Sequence, residues 1–179
     1  MSKTRFNLKL MVICAVLSAL SIILGKYLAI NIGDTFRISL ESLPIIFAGV
    51  FLGAVPALLI ALVADVVGCL MVGYAINPII TLGAMLIGLV GAIAYRLCKR
   101  FSLSEPFTVA ITVACAHLLG SVVVKTVGLS LFYDTPLLVL MGLRLLNYAL
   151  VALVESLTLF MLVRSTSLRR EISKFLEAK

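Results

Sequence analysis

Five ionisable side chains stand inside long apolar stretches of this chain. They are Asp65, Lys125, Arg144, Glu155 and His117. A charged group surrounded by apolar residues is costly to bury, and it is usually either paired or functional. Two interpretations are open: the charges bind a polar ligand inside a helix bundle, or they pair with one another as structural ion pairs. Lys125 has a third option, since its long side chain can reach the end of its helix.

The spacing on one predicted helix supports an inward-facing polar stripe. Arg144, Asn147, Tyr148, Val151 and Glu155 follow the intervals i, i+3, i+4, i+7 and i+11. These intervals place side chains on one face of an α-helix. We therefore expect this face to look into the bundle.

No catalytic arrangement emerges from the sequence. His117 and Ser130 are 13 residues apart, which on one helix is about 19.5 Å of rise and about 220° of rotation, so they cannot meet. There is no phosphate-binding Gly-x-x-x-x-Gly-Lys-Ser/Thr loop and no His-Glu-x-x-His zinc motif. The cysteines lack the close spacing of metal ligands; they are Cys14, Cys69, Cys98 and Cys115. We expect no enzyme activity, no cofactor and no metal.

The composition indicates that these residues belong to a membrane protein. Of 179 residues, 63% are hydrophobic and 13% are charged, and the mean hydropathy is +1.23. Soluble domains are about a quarter charged. The net charge of +7 does not predict a nucleic-acid partner, because 11 of the 15 Lys and Arg lie in three clusters beside apolar stretches, at 3–9, 96–100 and 164–179. Such clusters are typical of cytoplasmic membrane edges.

The clusters also predict the topology. If 3–9 and 96–100 are cytoplasmic, the chain between them crosses an even number of times, and the apolar stretch after residue 43 accounts for three of those crossings. The sequence thus predicts an all-α membrane protein: a single transmembrane domain, 1–179, in the cell membrane, with six helices and both termini in the cytoplasm. The helices are expected at about 8–25, 44–53, 56–73, 78–97, 106–131 and 136–164, followed by a cytoplasmic tail, 165–179, that resembles a short interfacial helix. Each of the five prolines falls near a predicted helix start.

The chain resembles the substrate-specific S components of energy-coupling factor (ECF) transporters. Residues Ala15 and Ala19 match the Ala-x-x-x-Ala motif of that family's first helix. The resemblance covers nearly the whole chain and implies a six-helix protein with inward termini. It also implies two kinds of partner: a membrane-embedded T subunit, contacted through Ala15 and Ala19, and a pair of ATPase subunits that supplies energy.

Within the family, the chain is most similar to the folate-specific branch. The segments that carry this similarity are 24–30, 36–45, 64–68, and 131–136 followed by Arg144. The branch often has arginine where this chain has Lys26, and it usually has a bulkier loop where this chain has 73–78. The resemblance implies capture of folate from outside and its delivery inward.

A folate site needs stacking surfaces, hydrogen bonds to the pterin edge and cations for two carboxylates. The expected stacking residues are Phe36, Tyr74 and Tyr133. The expected pterin partners are Asp65, Asn77 and Asn147. The expected carboxylate partners are Lys26, Arg37 and Arg144. The external connections 26–43, 73–78 and 131–136 would form a lid.

Two alternatives remain open at this point. One is an S component for another vitamin or a nucleobase-like compound. The other is a membrane scaffold subunit without a small ligand, in which the intramembrane charges only pair structurally.

Overall fold

A computed structural model describes residues 8–32 and 36–177, without the side chains of 31, 32, 36, 133 and 175–177. Six helices, α1–α6, form the bundle, a small hairpin of strands β1 and β2 follows α1, and helix α7 ends the described chain. In order the elements are α1 (Leu8–Tyr27), β1 (Ile30–Ile32), β2 (Phe36–Ile38), α2 (Ser42–Phe51), α3 (Ala54–Val72), α4 (Pro78–Arg100), α5 (Glu105–Ala116, His117–Val124 and Lys125–Tyr133 in succession), α6 (Leu137–Arg164) and α7 (Thr166–Glu177).

Five of these helices are long and apolar enough to cross a membrane, namely α1, α3, α4, α5 and α6. Helix α2 is also apolar but has only 10 residues, or about 15 Å of rise, which is half of a bilayer core. The prediction of a six-helix all-α membrane bundle is confirmed, with five full-length spans and one short helix. Each predicted helix begins and ends within three residues of its observed counterpart.

Backbone chemistry explains where several helices end. Gly53, with φ of 103°, separates α2 from α3, and Gly73, with φ of 71°, ends α3. Glycine adopts positive φ without the steric cost that other residues bear. Helix α4 begins at Pro78 and is capped by Asn77, whose Oδ1 accepts hydrogen bonds from the backbone N–H groups of Ile79 and Ile80.

Helix α4 lies at the centre of the bundle and packs against α2, α3 and α5. Small residues let its neighbours approach closely. A Cβ added to Gly83 would lie 2.8 Å from the carbonyl oxygen of Gly120, and a Cβ added to Gly120 would lie 2.8 Å from that of Gly83. The α4–α5 crossing therefore depends on glycine on both sides.

Two helices contain a wider, π-helical stretch. It covers Ile23–Tyr27 at the end of α1 and His117–Val124 in the middle of α5. Such stretches are uncommon and occur often at functional sites. Both stretches contain residues of the polar site described below.

The hairpin is the part of the fold that the sequence did not predict. β1 and β2 are antiparallel, with Ile30 opposite Ile38 and Asn31 opposite Arg37, and β2 packs against α6. Two three-residue strands carry too little alternation to be recognised in a polar segment. The hairpin closes the end of the bundle opposite the basic clusters, which we call the outer end because the positive-inside rule places it outside.

Candidate functional site

A small polar cavity lies between helices α1 to α5 toward the outer end. Four of its lining residues are ionisable, one is a serine and five are apolar: Lys26, Glu41, Asp65, Lys125, Ser21, Ile22, Ile45, Ala61, Ala64 and Ala84. The positive and negative side chains are equal in number. The cavity can therefore offer both cationic donors and carboxylate acceptors to one ligand.

Lys125 and Glu41 form the main ion pair of this cavity. Lys125 Nζ donates to Glu41 Oε1 at 2.9 Å. The Lys125 side chain is 7% exposed and that of Glu41 is 26% exposed. Lys125 therefore points inward and does not reach for the helix end, since a buried ammonium needs a compensating charge.

The backbone around Glu41 is fixed by α1. Ser21 Oγ donates to the Glu41 carbonyl oxygen at 2.6 Å. A Cβ added to Gly25 would lie 2.8 Å from both Cβ and Oε2 of Glu41. Glycine at position 25 thus gives the carboxylate the room to sit against α1.

The electrostatic surroundings keep Glu41 ionised. It precedes α2, in the external connection. The Lys125 ammonium lowers the pKa of Glu41 to about 2, against the opposing effect of burial, and the charges of Lys26 and Arg37 add to the lowering. An opposite charge at hydrogen-bonding distance has this effect because it stabilises the carboxylate form.

Asp65 is the second acid of the cavity and is held by α4. Its Oδ2 accepts a hydrogen bond from Thr81 Oγ1 at 2.6 Å. Asp65 is half-buried and has no ion-pair partner among the described residues. Its carboxylate can accept further hydrogen bonds from a ligand.

Lys26 supplies the second cation. Its Nζ lies 3.9 Å from Cys69 Sγ and 5.6 Å from the ring centroid of Tyr74. A Cβ added to Gly68 would lie 3.0 Å from Lys26 Cε, so the lysine stem runs over a glycine on α3. Neither contact neutralises the ammonium.

A second polar cluster lies between α5 and α6. Arg144 donates through Nη2 to the Ser121 carbonyl oxygen at 3.2 Å and to Tyr148 Oη at 3.3 Å. The Tyr148 ring stacks on His117 with 5.1 Å between centroids. This cluster joins α6 to the π-helical stretch of α5.

His117 and Glu155 form the innermost contact of that cluster. His117 Nε2 lies 2.7 Å from Glu155 Oε2, and His117 Nδ1 lies 3.1 Å from Ser121 Oγ. Both side chains are almost fully buried. The predicted inward face of α6 is confirmed, since Asn147, Val151 and Glu155 are all buried.

Asn147 connects the hairpin to this cluster. Its Nδ2 donates to the Arg37 carbonyl oxygen at 2.9 Å, while the Arg37 side chain donates to the Gly25 carbonyl oxygen. Within the described part of the chain, Asn147 Oδ1, Arg144 Nε and Glu155 Oε1 are buried without a hydrogen-bond partner. Buried polar atoms of this kind are costly and call for an explanation.

The predicted site residues do not all meet in one place. Lys26 and Asp65 line the cavity, and Tyr74 stands beside Lys26 with 58% of its surface exposed. Arg144 and Asn147 belong to the α5–α6 cluster, and Arg37 lies in the hairpin that joins the two groups. The side chains of Phe36 and Tyr133 lie outside the described residues.

Asn77 is held by hydrogen bonds within the bundle. Its Oδ1 caps α4, and its Nδ2 donates to the Gly128 carbonyl oxygen at 3.1 Å. These bonds place the buried Asn77 in the α4–α5 packing, and its role as a ligand partner stays a prediction.

Sequence reasoning missed Glu41 and Ser21 as cavity residues and Thr81 as the hydrogen-bond partner of Asp65. A usable signal existed for Glu41, because an intramembrane Lys125 requires an acid and Glu41 stands directly before an apolar helix. The pairing joins residues 84 positions apart, and no local periodicity in the sequence predicts such a contact.

Some of the five intramembrane ionisable side chains are paired in the described structure, and others have no ion-pair partner among the described residues. Lys125 pairs with Glu41, and Glu155 meets His117. Arg144 donates to oxygens of Ser121 and Tyr148. Among the residues that the structure describes, no group of three or more His, Cys, Asp or Glu side chains could hold a metal ion.

The cavity is narrow. Its volume is only ≈ 20 Å³, roughly the room of one water. A vitamin-sized ligand would enter only if the lining side chains or the hairpin moved. The Lys125–Glu41 and Arg37–Gly25 contacts are the ones that such a movement must break or shift.

The fold and the site together define an integral membrane protein with a charged cavity enclosed by its helices. A family model described as the substrate-specific component of the ECF transporter matches residues 9–164. The chain therefore belongs to this family of S components. No sequence among curated proteins matches it.

Solved structures of similar fold include the following two. One is the crystal structure of FolT bound with folic acid, with a TM-score of 0.70 and 21% identity, over 86% of this chain and 93% of that one. The other is the S component for biotin from an ECF-type ABC transporter, with a TM-score of 0.66 and 17% identity, over 90% and 96%. At these sequence identities, the similarity shows a shared fold and nothing further.

Proposed function

We propose that this S component binds folate or a close relative from outside and delivers it inward. The observation that carries the proposal is the meeting of Lys26, Asp65 and the Lys125–Glu41 pair around one enclosed cavity at the outer end. The protein acts as a binding and translocating subunit and not as an enzyme.

The chemistry of the cavity suits a pterin with an acidic tail. A pterin edge presents amino and ring N–H donors, and Asp65 has acceptor capacity beyond its bond to Thr81. Lys26 has an ammonium that no carboxylate neutralises directly, and it can attract a ligand carboxylate. The neighbour of similar fold that holds folic acid supports this choice of ligand.

The α5–α6 cluster offers further partners. Arg144 Nε is a donor and Asn147 Oδ1 is an acceptor, and both are buried without a partner among the described residues. A ligand that extends from the cavity and passes beneath the hairpin would form hydrogen bonds with both atoms if the Arg37 contacts shifted. The tail carboxylates of folate would then approach Arg144.

Biotin is the second candidate, because the biotin S component has a similar fold and coverage. Its ureido group and its carboxylate would use the same Asp65 and Lys26. It is smaller than folate and would need less widening of the cavity. Another vitamin or a nucleobase-like compound stays possible on the same chemistry, and a scaffold subunit would bind none of them.

The energising partners are proposed from the family. Ala15 and Ala19 are exposed on α1, and their small side chains leave a flat surface on which a second helix can pack. We propose that a membrane-embedded T subunit docks there and that two ATPase subunits drive the release.

The test is thermal stabilisation of the purified protein in detergent by a panel of folate, biotin, riboflavin, thiamin, pantothenate and queuine. Folate alone should raise the melting temperature. A shift with biotin alone would identify biotin as the ligand in place of folate and would leave the S-component assignment unchanged. No shift with any compound, for a protein that melts cooperatively, would contradict the proposal.

A further inference from the structure

A second cavity lies at the opposite end of the bundle, between the ends of α2 and α4 and the amphipathic helix α7. It has a volume of ≈ 280 Å³ and is lined by Val50, Phe51, Tyr95, Arg169, Ile172 and Ser173. No part of the proposed vitamin site reaches it. We call it the inner groove.

One side of the inner groove is apolar. Val50, Phe51 and Ile172 are partly buried and pack against the main hydrophobic core. The Phe51 ring is held by Phe47, with 4.6 Å between centroids. An acyl chain would therefore meet an apolar wall that is backed by the hydrophobic core.

The other side of the groove carries cations and hydroxyl groups. Arg169, Ser173 and Tyr95 line it directly. Lys99 stands beside it, with Nζ 5.8 Å from the Tyr95 ring centroid. Arg169 and Lys99 remain 45% and 38% exposed, so both can still contact a ligand.

The local charge balance is positive. Arg169 Nη2 lies 2.9 Å from Glu105 Oε1, and Lys99 pairs with the same oxygen. One carboxylate thus serves two cations. The neighbouring segments 96–105 and 164–177 contain seven basic and three acidic residues, which is a surplus of four positive charges. The basic residues are Arg96, Lys99, Arg100, Arg164, Arg169, Arg170 and Lys174, and the acidic residues are Glu105, Glu171 and Glu177.

We infer that the inner groove is a binding site for an anionic phospholipid. Its acyl chain would lie on Val50, Phe51 and Ile172, and its phosphate would contact Arg169, with the hydroxyls of Tyr95 and Ser173 in reach. The position at the ends of membrane-spanning helices favours a lipid, because headgroup and chain meet at that depth. A bound lipid would fasten α7 to the bundle at the surface that faces the cytoplasm.

The test compares binding of phosphatidylglycerol and phosphatidylcholine to the full-length protein by native mass spectrometry and by thermal shift. Arg169→Glu reverses a charge in the groove. Arg170→Glu is the matched control, since it makes the same change one residue further on the same helix, outside the groove lining. Phosphatidylglycerol should bind selectively, and Arg169→Glu should weaken it about tenfold while Arg170→Glu changes it less than about twofold.

Three results would overturn the inference. They are equal binding of the two lipids, equal weakening by both variants, and a thermal shift of the same size with inorganic phosphate alone. If Arg169→Glu does not fold, Ser173→Trp fills the groove without changing charge and should lower the number of bound phosphatidylglycerol molecules by one. Vitamin binding is measured in parallel and should not change, which separates this site from the outer cavity.

Discussion

Lys125 on α5 and Glu41 before α2 form a 2.9 Å ion pair that joins residues 84 positions apart and closes one side of the outer cavity. The pair anchors the external connection to the middle of the bundle. It also gives a buried lysine its counter-charge. The stability of the protein and, in the proposed binding mode, the access of the ligand therefore depend on the same contact.

Removing the charge of Glu41 should destabilise the protein. Glu41→Gln leaves the Lys125 ammonium buried without a counter-ion, and we expect a loss of about 3 kcal/mol. Glu171→Gln is the matched control, because Glu171 pairs with Lys174 on the exposed tail and should cost less than about 1 kcal/mol. Thermal melting in detergent measures both, and equal losses would show that the buried pair has no special role.

The same pair predicts a pH dependence. The pKa of Glu41 is lowered to about 2 in the folded protein, whereas an unfolded chain has its ordinary glutamate value, about 4.3. The unfolded state then takes up a proton first as pH falls, so the contribution is complete above about pH 4.5 and is lost toward pH 2. The difference in melting temperature between wild type and Glu41→Gln should be constant from pH 7 to 5 and shrink below. A difference that already shrinks between pH 7 and 5 would contradict this assignment.

Much of this architecture was predictable from the sequence, because apolar length and basic clusters report membrane spans directly. The six helices follow from apolar length, basic clusters and prolines, and the inward face of α6 follows from helical spacing. The hairpin, the π-helical stretches and the Lys125–Glu41 pair do not, because they depend on contacts between distant segments. Asn77 illustrates the ambiguity, since a polar residue before a proline suits a cap as well as a ligand, and here the cap is observed.

The close approach of α1 to Glu41 should make Gly25 sensitive to substitution. In Gly25→Ala, the new Cβ would lie 2.8 Å from Glu41 Cβ, and we expect a loss of about 1–3 kcal/mol from overpacking. Gly142→Ala is the control, since Gly142 lies within α6 and a Cβ there meets nothing within 4 Å. That change should be neutral or stabilise by up to about 1 kcal/mol. Chemical-denaturation curves measure the free energy of unfolding of the two variants. An unchanged value for Gly25→Ala would mean that α1 can shift away from Glu41 at little cost.

The exposed alanines of α1 should matter for assembly and not for vitamin binding. Ala15→Leu should weaken association with the T subunit about tenfold or more, since a larger side chain would obstruct a close helix contact. Ala149→Leu makes the same change at an exposed position of α6 and should leave association unchanged. Co-purification of the complete transporter would measure this. Equal recovery of the complex with Ala15→Leu and with wild type would place the docking surface elsewhere.

The most direct test of the account is calorimetric titration of folate into wild type, Asp65→Asn and Glu171→Gln. Asp65→Asn keeps an oxygen for Thr81 and removes the charge offered to the ligand, so folate should bind about tenfold to a hundredfold more weakly. Glu171→Gln removes an exposed carboxylate on the tail and should bind folate as wild type does. Equal affinity of Asp65→Asn and wild type, or no folate binding by the folded wild-type protein, would contradict the central claim.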